Sequence, residues 1–335
     1  MRKHRNWETL VRRLAILAAM SAMAGCGGGS GPAATTSPGG SSPGSTVLFQ
    51  QPQESGIAGQ FFVPLATHTS PQTGIFELVL WQPNPDTADG ELVSTTWDAG
   101  SETGFAPTSP STAQLGFQNQ AGTSTAQMEG GTVGAYINSA NLPGSPAGQK
   151  MMISPQFLFT PGSEPVPFSS ASSVLTSAMD LQIPTAAGND TYVVADLLFK
   201  DPNGVRVSLG AKIFHNGETN QVVGTGYDAP SNTYLLNSPL EATQQFLTQL
   251  PGSASTTGTP WAGWQHYEWS VSQAQFVAAI NYLIAQYPGK VTTTDPTEYV
   301  LAEVHLNAEF HFEPAAAELG WSMTGWTVSI ASSGG

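Results

Sequence analysis

Between Tyr299 and Phe312 the chain sets two acids, two histidines and an amide on alternate positions: Glu303, His305, Asn307, Glu309 and His311. Their neighbours Val300, Ala302, Val304, Leu306, Ala308, Phe310 and Phe312 are apolar, the pattern of a half-buried strand with one polar face. Carboxyl groups on such a face can do acid–base work. Cleaving a glycosidic bond takes two of them, about 5 Å apart for retention of configuration and about 6.5–9.5 Å for inversion. Glu303 is roughly 20 Å along the strand from Glu309, so a partner must come from another strand. Asp196, on the polar side of the alternating run from Tyr192 to Lys200, is the candidate. Glu309 then serves as acid/base, with Ala308 and Phe310 desolvating its carboxyl and raising its pKa.

A metal centre is the rival chemistry. Glu309 and His311 are i and i+2 on one face and could share an ion, but His305 is about 13 Å from Glu309 along the backbone. No third ligand is identified, so neither a metal nor any other cofactor is expected. The bland alternative is that the five side chains only solvate an exposed sheet face. Seven of the eight tryptophans follow residue 25, and indole rings stack on the apolar faces of sugars. Most belong to a core. Trp264, which shares a face with His266 and Glu268, is the best cleft candidate and Trp326 the second, with His305, His311 and Asn307 as further substrate contacts. Nucleophilic hydrolase chemistry has no support, because no Gly-x-Ser-x-Gly, Cys-His pair or phosphate loop is present.

The elements that must position these groups are mainly strands. Val193, Ala195, Leu197 and Phe199 face a core, Asp201-Pro-Asn-Gly204 supplies a turn, and Val205, Val207, Leu209, Ala211 and Ile213 form the inward face of a returning strand. Further strands are expected at 74–81, 91–97, 134–137, 264–271 and 321–330. Loops are expected at 100–112, 141–149 and 252–260. One helix is predicted over about 272–287, with Ser272 and Gln275 at capping-box spacing, an apolar stripe of Phe276, Ile280, Leu283 and Tyr287, and Pro288-Gly289 as its stop. The fold class is all-β, a two-sheet antiparallel jelly-roll sandwich with one substantial helix.

From residue 190 onward the order of elements resembles the concanavalin A-like jelly rolls and, within them, the clan-C endoglucanases. The residues that carry it are Tyr192-Val-Val-Ala-Asp196-Leu-Leu-Phe199, Trp264-Gln-His-Tyr-Glu-Trp269, the helix, Val304-His-Leu-Asn-Ala-Glu309-Phe310 and Gly320-Trp-Ser-Met-Thr-Gly-Trp326. The resemblance covers under half of the chain and implies a nucleophilic carboxylate at Asp196 and an acid/base at Glu309. The family's nucleophile is a glutamate in Glu-x-x-x-Trp. Here Asp196 stands in Asp-Leu-Leu-Phe, while the family-like Glu77-Leu-Val-Leu-Trp81 comes far earlier.

The first 25 residues open with Arg2, Lys3, Arg5, Arg12 and Arg13, continue through a short apolar run from Leu14 to Met23, and reach Ala24-Gly25 before Cys26, the only cysteine. They resemble a bacterial lipoprotein signal peptide, cleaved before a cysteine that becomes lipidated. Residues 26–46 then read as a flexible Gly/Ser/Pro tether and 47–335 as a single domain. Gly27 after the cysteine resembles lipoproteins exported to an outer membrane. Five of the 10 basic residues lie in the leader with Glu8 its only acid, so the remainder carries about −18. That charge excludes nucleic acid as a partner. The expectation is a lipid-anchored envelope protein acting on a neutral polysaccharide or oligosaccharide, as an endo-acting glycoside hydrolase or as a non-catalytic binding or adhesive protein.

Overall fold

The computed structural model describes residues 45–51, 74–83, 92–95, 105–109, 114–119, 125–129, 132–138, 150–188, 190–218, 222–229, 231–241, 245–311 and 317–332. The leader, Cys26 and most of the tether lie outside these residues, as do Trp97 and the loop expected at 141–149. Two sheets build the fold. In the first, the strand order is β14 (Thr248–Gln249), β15 (Trp261–Ser272), β9 (Ser173–Ala187), β17 (Glu318–Ser332), β7 (Thr132–Asn138), β6 (Thr125–Glu129), β5 (Gln114–Asn119) and β4 (Phe105–Ser109). Strand β1 (Ser45–Gln50) also joins this sheet through β17. The second sheet runs β12 (Gly224–Asp228), β13 (Thr233–Pro239), β11 (Arg206–His215), β10 (Thr191–Lys200), β16 (Val300–His311), β8 (Lys150–Phe159), β2 (Gly74–Pro83) and β3 (Leu92–Thr95).

Alternation decides what each strand buries. On β10 the side chains of Val193, Ala195, Leu197 and Phe199 join the core, as do Val304, Leu306, Ala308 and Phe310 on β16. Facing them from the first sheet are Tyr267, Trp269 and Val271 of β15, Leu175, Met179 and Leu181 of β9, and Leu319, Trp321 and Met323 of β17. The result is a jelly-roll sandwich whose apolar interior lies between two sheets. The expected β10–β11 hairpin is formed, with Asp201 Oδ1 accepting from the N–H groups of Asn203 at 2.9 Å and Val205 at 2.8 Å. Gly204, at φ +81°, supplies the left-handed residue of that turn.

Strands β1, β5, β6, β8 and β12–β14 add to those expected from the sequence, and three further features depart from that reading. The stretch 100–112, expected as a loop, contains β4; its Pro107 is tolerated because β4 ends the strand order and one of its sides needs no ladder donor. Strand β9, which was not predicted, pairs with both β15 and β17 and so forms the middle of the first sheet. Its alternation is softened by buried Ser173 and Ser177, which read as polar but lie inside. The sheets are also not wholly antiparallel, because β11 and β13 pair in parallel. Strand β12 takes the edge position, and β13 returns between it and β11.

Among the described residues the expected helix is α1 (Gln273–Gln286). Ser272 Oγ accepts from the Gln275 N–H at 3.2 Å and Gln275 Oε1 accepts from the Ser272 N–H at 3.0 Å, a complete capping box. Its apolar stripe is anchored by Phe276, whose ring centroid lies 4.6 Å from Phe168, 4.6 Å from Phe199 and 5.1 Å from Tyr299. Replacing Ser272 by Ala removes the side-chain acceptor of the Gln275 N–H while leaving the backbone N–H that donates to Gln275 Oε1, and should cost about 1 kcal/mol of stability, read as a lower urea midpoint at unchanged slope. Ser272→Thr, which keeps the acceptor, should recover most of it.

Candidate functional site

The residues of β10 and β16 that do not enter the core point to the outer face of the second sheet. Cross-strand register sets Asp196 opposite His305 and Gly210, His305 opposite Gln156, and Gly210 opposite Asn237. Asn237 of β13, Asp196 of β10, His305 of β16 and Gln156 of β8 therefore lie at one level, a polar band that passes over Gly210 of β11. Four strand spacings make it about 19 Å long. Gly210 is required within it. A Cβ there would lie 2.3 Å from Asn237 Oδ1 and 2.6 Å from Asp196 Oδ1, so only glycine lets these two oxygens converge over the strand.

Asp196 is the hub. Only 1% of it is exposed, and both of its oxygens are engaged. Ser208 Oγ donates to Oδ1 at 2.5 Å, Asn307 Nδ2 donates to Oδ2 at 2.6 Å, and His305 Nε2 lies 3.3 Å from Oδ2. Burial alone would hold the His305 imidazole neutral. The hydrogen bond to Asp196 and the negative charges of Asp196 and Glu303 outweigh that and raise its pKa above the ordinary histidine value, against a smaller opposing effect of Arg206. Glu303 is itself bound to Arg206 by an ion pair. At the far end of β16, Glu309 is 5% exposed and accepts a hydrogen bond from Tyr192. Burial, followed by the nearby Glu309 carboxylate, pushes the Tyr192 phenol well above its ordinary range. Beside the band, Asn237 Oδ1 and Ser154 Oγ are buried without a hydrogen-bond partner among the described residues.

Several expected site residues are brought together and others are not. Asp196, His305 and Asn307 form one network, and Glu309 shares their face. The pairing of Glu309 with Asp196 as a catalytic couple needs correction, however. Tyr192, not Asp196, stands opposite Glu309, four residues along the strand, which separates the two acids by roughly 13 Å at the backbone. Hydrolysis with inversion needs about 6.5–9.5 Å between carboxyls and retention still less. His311 pairs with Lys150 through the β16–β8 ladder.

The tryptophans also divide. Trp326 is fully buried, its Nε1 donating to Ser177 Oγ at 3.0 Å and its ring edge-on to Phe49, so it is a core residue and not a groove contact. Its neighbour Gly325, at φ +65°, sits in a bulge that swings the indole inward. Trp264 is 48% exposed but belongs to β15 in the first sheet, so one groove cannot hold it together with His305. Sequence reasoning missed Ser208, Gly210, Gln156 and Asn237. Ser208 and Gly210 alternate with the inward Val207, Leu209 and Ala211 and could have been found from that. Asn237 arrives through a parallel pairing that no local pattern announces.

No protein-family model and no curated protein matches the chain. Among solved structures it is similar to the family 11 xylanase from Neocallimastix patriciarum, at 11% identity and a TM-score of 0.26, over 64% of this chain and 98% of that one. A loop-swap mutant of a xylanase from the same organism is similar at 11% identity and a TM-score of 0.24, over 64% and 95% respectively.

The His305–Asp196 contact makes stability depend on pH. Because the folded pKa of His305 is raised above its unfolded value near 6.5, the contribution is complete below about pH 6.5 and is lost as pH rises through the folded pKa. His215 and His266 are raised as well, by hydrogen bonds to Asp190 and Asp180 respectively, working against desolvation. Urea midpoints measured from pH 5.5 to 9 should therefore fall for the parent and fall less for His305→Gln. Parallel curves would mean that the pair stores no pH-dependent stability.

Proposed function

We propose that the chain is an exported lipoprotein, anchored in the cell envelope through Cys26, whose sandwich binds a neutral polysaccharide across the outer face of the second sheet without cutting it. The observation that carries this reading is the transverse polar band. Asn237, Asp196, His305 and Gln156 lie at one level across the strands, and an extended sugar chain presents hydroxyl groups along its length in the same way. The acidity of the chain fits a neutral ligand and disfavours a polyanion. Binding without hydrolysis follows from the wide separation of Glu309 and Asp196 and from the engagement of both Asp196 oxygens.

The anchor is supported by the basic, apolar and small-residue order that precedes Cys26 and by the Gly/Ser/Pro-rich stretch after it. Gly27 favours the outer membrane as its destination.

Incubating the protein with xylan, mixed-linkage glucan, galactomannan and starch should release no new reducing ends, while native affinity gels containing at least one of them should retard it. His305→Gln should weaken that retardation. Reducing ends released by the parent and abolished in Glu309→Gln would restore the hydrolase reading. In cells given radiolabelled palmitate, the parent should take up label and sediment with membranes, and Cys26→Ala should do neither.

A further inference from the structure

The first sheet also has an outer face, and it carries an aromatic surface that the polar band does not use. On β15, Tyr267, Trp269 and Val271 turn into the core at 0–1% exposure, so His266 and Glu268 turn away from it. Trp264 continues that outward series. It stands in a bulge between Trp261 and Gln265, next to Gly263 at φ +89°, and 48% of it is exposed, whereas Trp269, Trp321 and Trp326 are at 0–2%. An indole kept in water by a glycine-assisted bulge is not serving the core.

Three strand spacings away, about 14 Å, β7 turns Tyr136 to the same face, since Val133 and Ala135 are in the core. Tyr136 donates to Glu318 Oε2 at 2.8 Å, and Thr185 donates to Glu318 Oε1 at 2.9 Å, which fixes the phenol. A Cβ at Gly320 would meet Thr185 Cγ2 at 2.8 Å and Tyr136 Cδ2 at 3.4 Å, and one at Gly134 would meet Ser322 Oγ at 2.7 Å. Glycine at both positions lets the Thr185, Tyr136 and Ser322 side chains pack flat against the sheet, which holds the Tyr136 ring down on this face.

The charge beside the indole is fixed by His266, whose Nδ1 lies 2.8 Å from Asp180 Oδ1 and whose Nε2 lies 3.7 Å from Glu268 Oε2. With Asp180, Glu268 and Glu318 on the face, an anionic ligand is repelled, while the carboxylate oxygens can accept from hydroxyl groups. Flat rings for the apolar sides of pyranoses and acceptors for their hydroxyls define one chemistry.

We propose that the outer face of the first sheet, from Trp264 to Tyr136, is a second binding surface for a neutral glycan chain, independent of the polar band on the second sheet. It rests on the polysaccharide-binding reading but uses none of the same residues. The test compares the parent, Trp264→Ala, Tyr136→Ala, His305→Gln and the double variant Trp264→Ala/His305→Gln in affinity gels containing the same four polysaccharides. Trp264→Ala should weaken retardation about three- to tenfold, Trp264→Phe should retain most of it, and the double variant should show the product of the two single effects, as expected for distant sites. Because the Trp264 ring is solvent-exposed, its removal should leave the thermal midpoint unchanged. If Trp264→Ala and Tyr136→Ala bind like the parent while His305→Gln is weakened, the second surface is overturned and the polar band stands. If only Trp264→Ala and Tyr136→Ala are weakened, the polar-band reading falls and this surface stands alone. A parent that binds none of the four overturns both.

Discussion

Burying a carboxylate in the middle of a sheet costs several kcal/mol unless hydrogen bonds and opposite charge replace the lost water. Asp196 meets that condition through its two neighbouring strands at once: Ser208 on β11, and Asn307 and His305 on β16. The order β11-β10-β16 and its register are therefore coupled to one buried charge. A one-residue slip would move every outward side chain of β10 into the core. The hub thus constrains which strands can be neighbours, and with them the level at which the polar band crosses the sheet.

The same network bears on chemistry. The Asp196 carboxylate, buried and with both oxygens committed to Ser208, Asn307 and His305, is held still by the fold. Glu309 is the other buried acid of that face, and its contact is the phenol of Tyr192 instead of a second carboxylate. The spacing along β16 keeps Glu309 roughly 13 Å from Asp196 at the backbone.

Much of the fold was legible locally. Capping residues, turn residues and strict alternation are short-range signals, and α1, the β10–β11 hairpin, β16 and β17 were read from them. Three of the missed elements share a cause. Strand β9 hides serines inside, β4 carries a proline at an edge, and β13 joins by a parallel ladder, so in each case the deciding contact is distant in sequence. For the site, alternation correctly set Asp196, His305, Asn307 and Glu309 on a polar face. It could not say which residue of β10 stands opposite which residue of β16, because register is decided by packing and turns together.

By itself the sequence determined the β class, the one predicted helix with its cap, the acidity that disfavours polyanions, and the polar identity of the β16 face, since each follows from composition or from a period of two or of 3.6 residues. The tertiary structure alone decided that Asp196 is a buried hub and not the near neighbour of Glu309, and that Trp326 belongs to the core. It also decided that Trp264 lies on a different sheet from His305. These outcomes depend on register, on a bulge beside a glycine, and on the assignment of strands to sheets. All three are set by long-range pairing, which leaves no mark on the spacing of residues along the chain.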